Sequence, residues 1–250
     1  MYFIRSMELL KNIFEEIKRT KNPEIINDFL IKLSEDPKEE YLNYIEYFMN
    51  NLDKHIFDKI KLNLIFLIGE ISNLTTLEER YLSFLVETYY TSDRWIRNEI
   101  IQAIRIISAK SVITDEVIKL IGYAVNDDYS PIKVNALQVI LNLETLPPTV
   151  IRNIFQALNS KSSELEILLV KILKKFLPDY NQLYNSLNYL DHYKILKQHA
   201  IRTLLLVYFS SAFNLESFRQ KISNSKWEIE NKENFLEEID NYEKVFLRKL

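Results

Sequence analysis

Residues 60–71 read IKLNLIFLIGEI, and their apolar positions recur at one register in four later stretches. These are IRNEIIQAIRII from Ile96, IKVNALQVILNL from Ile132, LEILLVKILKKF from Leu165 and LKQHAIRTLLLV from Leu196. Successive starts lie 36, 36, 33 and 31 residues apart. A self-similarity of that period, with helical spacing inside each stretch, is the signature of stacked helical hairpins. Each hairpin buries its apolar face on its neighbours, so the stack offers a long surface rather than a pocket.

Composition points the same way. The 2 glycines cannot supply the glycine-rich phosphate loop of a Rossmann or P-loop site. Few glycines, 6 prolines and 47% apolar residues predict an all-helical chain. The absence of cysteine excludes disulfides and thiolate metal sites and fits a reducing compartment. A net charge of −3 argues against a general nucleic-acid binder. The longest apolar run, Leu204–Phe209, is far shorter than the ~20 residues that span a bilayer. Residues 1–10 lack the apolar core of a secretory signal. We therefore expect a soluble, cytoplasmic protein.

An amphipathic segment precedes each of the five aligned stretches, and a further amphipathic pair lies ahead of them, which predicts six hairpins. They join Ser6–Arg19 to Pro23–Leu33, Lys38–Asn51 to Ile56–Ser72, and Leu77–Tyr90 to Arg94–Ser108. The next three join Asp115–Val125 to Pro131–Leu143, Pro148–Leu158 to Ser163–Phe176, and Asp179–Leu190 to Lys194–Phe209. Thr114 before Asp115-Glu116 reads as an N-cap followed by acids where the helix dipole favours them. Asp36-Pro37 and Leu177-Pro178 read as helix ends. Further on, Leu215–Ile222 reads as a short helix and Lys226–Leu250 as a longer one. The latter carries an apolar stripe of Trp227, Phe235, Ile239, Tyr242 and Phe246. The expected division is a repeat body over residues 1–214 and capping helices over 215–250. The rival reading makes the last helix an arm that docks in a partner's groove.

Asp93-Arg94-Trp95-Ile96-Arg97 followed by Ile100, Ala103, Ile104 and Ile107 resembles the second-helix signature of HEAT repeats, and armadillo and adaptin-trunk repeats share such patterns. Asp128, Ile132, Lys133, Ala136, Leu137 and Ile140 repeat it, while Leu165-Glu166 puts an acid where the base belongs. The resemblance covers roughly residues 40–210. It implies a right-handed α-α superhelix of about six hairpins used as a scaffold or adaptor, with no chemistry of its own. It also implies that Asp93, Arg97, Asp128 and Lys133 bond between neighbouring repeats.

No constellation reads as an active site. His192 and His199 are seven apart and lack the i, i+4 spacing and third ligand of a helical zinc site. Paired acids such as Glu78-Glu79 and Glu237-Glu238 sit on expected helix surfaces, without the burial that catalytic carboxylates need. The dense tyrosines read mainly as packing between hairpins. We expect no enzyme, cofactor or metal.

One pattern remains. Positions 3, 6 and 10 after each anchor define a face away from the apolar stripe, which in stacked hairpins lines the concave side. It carries Glu99 and Gln102, then Asn135 and Gln138, then Lys171 and Lys175, then Arg202, and Lys174, Lys194 and Lys197 cluster at its basic end. It is either a solvated inner face or a binding groove. The reading that follows is a non-enzymatic scaffold holding a peptide or helical segment of a protein partner. The alternatives are a nucleic-acid-binding helical-repeat protein with a basic groove around Lys171–Arg202, and an enzyme subunit or chaperone on the same repeats.

Overall fold

The computed structural model describes residues 2–247, and side chains from Leu10 onward. Every regular element among the described residues is helical. The helices are α1 (Tyr2–Thr20), α2 (Pro23–Glu35), α3 (Leu42–Asn51), α4 (Lys54–Ile71), α5 (Glu79–Tyr90), α6 (Arg94–Ser108) and α7 (Asp115–Ala124). After them come α8 (Ser130–Asn142), α9 (Pro148–Ala157), α10 (Ser163–Phe176), α11 (Tyr180–Asn188), α12 (Gln198–Tyr208), α13 (Ala212–Ser223) and α14 (Ile229–Tyr242). Two compact units result, residues 1–117 and 118–250.

Local chemistry sets the helix starts. The side chains of Asn22, Asp53 and Asp93 accept backbone N–H groups at the N-termini of α2, α4 and α6, satisfying donors that a helix start leaves orphaned. Asp93 thus acts as a cap on its own helix, bonding the N–H groups of Trp95 and Ile96. Pro23 and Pro148 occupy first turns, where their missing N–H costs nothing.

In the first unit α4 packs between α2 and α6. Its Ile60, Leu64, Ile65, Leu67 and Ile68 are fully buried. A Cβ added at Gly69 would stand 3.2 Å from Ala103 Cβ and 3.3 Å from Ala103 Cα, so the two helices meet where one has no side chain. The layer containing α1 and α3 is spaced by rings instead, with Phe14 4.5 Å from Tyr44 and 5.1 Å from Tyr47.

In the second unit α8 packs on α10, α12 on α14, and α13 on both α11 and α14. The stripe of the last helix faces inward through Phe235, Ile239 and Tyr242. This helix starts at Ile229 rather than Lys226 and runs on through a π-helical turn over Glu243–Leu247, where Phe246, expected in the stripe, is 52% exposed. Trp227 lies before its first turn, stacked 4.4 Å from Tyr193, and residues 248–250 lie outside the described residues. The helix expected from Lys194 starts instead at Gln198. Ahead of it, residues 189–195 form a tight corner in which Leu190 and Asp191 take left-handed conformations, with φ of 48° and 55°. The buried Tyr193 and the ion pairs of Lys194 with Asp191 and Glu228 hold that corner.

One device recurs. The last carbonyls of a helix have no intrahelical donor. At the end of α4, Asn73 O accepts Lys110 Nζ at 2.5 Å. At the end of α8, Leu141 O and Leu143 O accept Lys175 Nζ at 2.7 and 2.6 Å. At the end of α10, Leu173 O and Leu177 O accept the Tyr208 hydroxyl at 3.3 and 2.6 Å. At the end of α12, Phe209 O accepts the Tyr242 hydroxyl. Each donor lies 31 to 37 residues beyond its acceptor, close to the sequence period of 31 to 36.

Tyr208→Phe removes the donor at the end of α10 and changes little else. It is expected to lower the unfolding free energy by about 1–2 kcal/mol in urea titrations, the cost of leaving a buried carbonyl unsatisfied.

Candidate functional site

The face read at positions 3, 6 and 10 begins earlier than Glu99. In α4 the same positions are Asn63, Phe66 and Glu70. Asn63 Nδ2 donates to Asn27 Oδ1 at 2.8 Å, and Asn27 Nδ2 donates to Lys59 O at 3.1 Å. This pair fixes α2 on α4, and Ile31 lies one turn beyond Asn27 on α2. Ile31, Leu62 and Phe66 are 48%, 44% and 43% exposed, although each sits on a helix whose apolar residues are otherwise buried or half-buried. Leu62, Phe66 and Glu70 follow at i, i+4 and i+8, which lines them along one side of α4.

Glu99 and Gln102 stand half-buried on α6. Burial pushes the Glu99 carboxyl above its ordinary range, and the negative charge of Glu70 adds to the rise. Among the described residues neither carboxylate has an ion-pair or hydrogen-bond partner of its own. The first unit therefore presents three exposed apolar side chains on α2 and α4, and two uncompensated acids on α4 and α6.

The basic end of the stripe lies in the second unit, where most of its charges are already committed. Arg202 forks onto Glu238, Nε to Oε2 at 2.5 Å and a terminal nitrogen to Oε1 at 2.8 Å. Glu238 is 2% exposed, so the pair anchors α14 to α12. Lys175 serves the end of α8, and Lys174 lies over the Tyr208 ring. Lys194 is held above the ordinary lysine range, first by Glu228 and then by Asp191. Asn135 and Gln138 are half-buried on α8 and Lys171 is exposed on α10. Lys197 caps the N-terminal end of α12, where it lines a cleft with Lys133. Glu166, the acid that interrupts the repeat motif, accepts the Thr203 hydroxyl at 2.9 Å and so ties α10 to α12.

Reading the sequence missed Ile31, Leu62 and Phe66. The signal was present for Phe66, which occupies position 6 of the first aligned stretch. Its apolar character does not by itself mark an exposed position. His192 is buried, with Nδ1 on Ser186 O at 3.0 Å, and burial lowers its pKa. No cluster of three or more His, Cys, Asp or Glu suited to a metal ion occurs among the described residues, and no described helix is long and apolar enough to cross a membrane.

No protein-family model matches the chain, and no curated protein matches it. A solved structure described as an engineered protein is similar over 93% of this chain and 96% of its own, at 14% identity and a TM-score of 0.44.

The environment of Glu99 has a pH signature. Its raised pKa means that the folded chain holds this proton more tightly than the unfolded chain. Stability is therefore lost as pH rises from the ordinary glutamate value of about 4.3 through the raised one. Glu99→Gln is expected to melt higher than the parent at pH 7, and thermal melts at about pH 4 should show that gain gone.

Proposed function

We propose that this protein is a non-enzymatic scaffold or adaptor built as a HEAT-like right-handed solenoid. In this reading residues 1–214 form the repeat body and residues 215–250 cap it. Three observations support the solenoid. Second helices pack on second helices within each unit, as α4 does on α2 and α6. Their ends are served by donors one repeat further on. Ring-spaced first helices and glycine-spaced second helices in the first unit also make the second-helix face the tighter one, as on the inner side of a superhelix.

The partner we infer is an amphipathic helix with basic flanks. The observation that carries this is the exposure of Ile31, Leu62 and Phe66 on the same packed helices that hold Glu70 and Glu99. Exposed apolar side chains at helical spacing suit the anchors of a helix laid in a groove. Two acids without cations supply charge complementarity to lysines or arginines at its edge. A preformed surface leaves little ordering cost on the scaffold's side. The Lys171–Arg202 region suits nucleic acid poorly, because Arg202, Lys175 and Lys194 already have protein partners.

A labelled synthetic helix with leucines at i, i+4 and i+7 and lysines at its flanks tests this by fluorescence anisotropy. Binding is expected, and Leu62→Asp with Phe66→Asp should weaken it at least about tenfold, since each anchor loses its buried contact. Acidification should weaken it too, as Glu99 takes up its proton. Equal binding of the same helix with glutamates for lysines, or no effect of the paired substitutions, contradicts the proposal.

A further inference from the structure

A cleft of about 640 Å³ in the second unit is lined by three cations, Lys133, Arg152 and Lys197, together with Gln156, Asn159 and Ser160. The remaining lining residues are also uncharged, so no carboxylate faces it. Like charges around one small volume repel, and acids outnumber bases in the chain by 35 to 32, yet none is placed here. Lys133, Arg152 and Lys197 have no ion-pair or hydrogen-bond partner for their side chains among the described residues. This contrasts with Lys175, Lys194 and Arg202 in the same unit, each of which is engaged.

The walls are fixed. Asn159 Nδ2 donates to Ile195 O at 2.9 Å while its Oδ1 accepts the Lys197 N–H at 2.8 Å. This clamp holds the start of α12, and with it Lys197, against the turn that follows α9. Asn126 Nδ2 donates to Asn153 O at 3.1 Å, tying the turn after α7 to α9 beside Arg152. The start of α12 adds to the field. Lys197 is its N-cap and provides no side-chain acceptor, so the helix's positive end is not neutralised by a cap as Asp53 and Asp93 neutralise those of α4 and α6.

We propose that this cleft is an anion site for a phosphate monoester. The volume falls in the range of small-ligand sites. Three positive side chains exceed what a single carboxylate would balance. A phosphate monoester brings a charge of about −1.5 to −2 and three acceptor oxygens at pH 7. Arg152 offers the planar fork that grips two such oxygens, and the lysines offer point charges. The uncharged donors Gln156 and Ser160 stand ready for the remaining lone pairs. The proposal rests on the cleft alone and does not depend on the scaffold reading. The phosphate comes either from a small phosphorylated molecule or from a phosphorylated side chain of a bound protein.

Isothermal titration with inorganic phosphate, at constant ionic strength and pH 7, tests the site. Sodium acetate serves as the monoanion control. Saturable binding with at least about tenfold preference over acetate is expected. Arg152→Gln with Lys197→Gln should reduce it by about tenfold or more, because two charge-assisted contacts are lost. Both side chains are exposed, so the variant should retain the parent's circular dichroism and melting point. A phosphoserine peptide that binds more tightly than inorganic phosphate, while its unphosphorylated form does not bind, assigns the phosphate to a protein partner. A phosphoserine peptide no tighter than inorganic phosphate assigns it to a small ester. Absence of saturable phosphate binding below about 10 mM, or binding unchanged in the folded double variant, overturns the proposal.

Discussion

The contact of Gly69 with Ala103 is the constraint on which the first unit depends. Two helices can approach this closely only where one lacks a side chain. The cost is a glycine in a helix interior, unfavourable by roughly 0.8–1 kcal/mol relative to alanine. What offsets it is the burial of Ile60, Leu64, Ile68, Ile100, Ile104 and Ile107 between neighbouring helices. Close packing of α4 on α6 also brings Glu70 near Glu99 and turns Leu62 and Phe66 outward. The face we assign to a partner is thus a consequence of how the core closes. The second glycine, Gly122, plays a similar part, since a Cβ there would stand 3.0 Å from Val150.

Close packing leaves helix ends to be satisfied, and at the ends of α4, α8, α10 and α12 long donors 31 to 37 residues further on do so. Lysine and tyrosine both serve because the requirement is reach and a donor, with no particular side chain demanded. Where it occurs, such a device ties one helix end to a later part of the same unit through polar bonds as well as apolar burial. It also removes Lys175 from any role in gripping a partner.

The all-helical character was legible because burial forces a 3.6-residue period on every stretch, and low glycine leaves little else. Helix starts after Asp93 and Thr114 were legible, since capping is local chemistry, whereas α4 begins at Lys54 under the Asp53 cap, two residues before the expected Ile56. The corner at residues 189–195 was not, because Leu190 and Asp191 adopt left-handed conformations that their residue types do not announce. Arg202 read as a free cation because its partner Glu238 lies 36 residues away. Leu62 and Phe66 were not singled out because apolar character alone does not distinguish a buried position from an exposed one. Lys133, Arg152 and Lys197 lie on three different elements, and only the fold reveals that they share a cleft.

The close approach of second helices is tested most directly by urea unfolding of Gly69→Leu. Leucine is the better helix former by most of the glycine penalty, so an open site would make the variant more stable by up to about 0.8 kcal/mol. A closed one must displace Ala103 and the backbone behind it. The account predicts a loss of at least about 2 kcal/mol at unchanged denaturant slope. A variant as stable as the parent, or more stable, would contradict it.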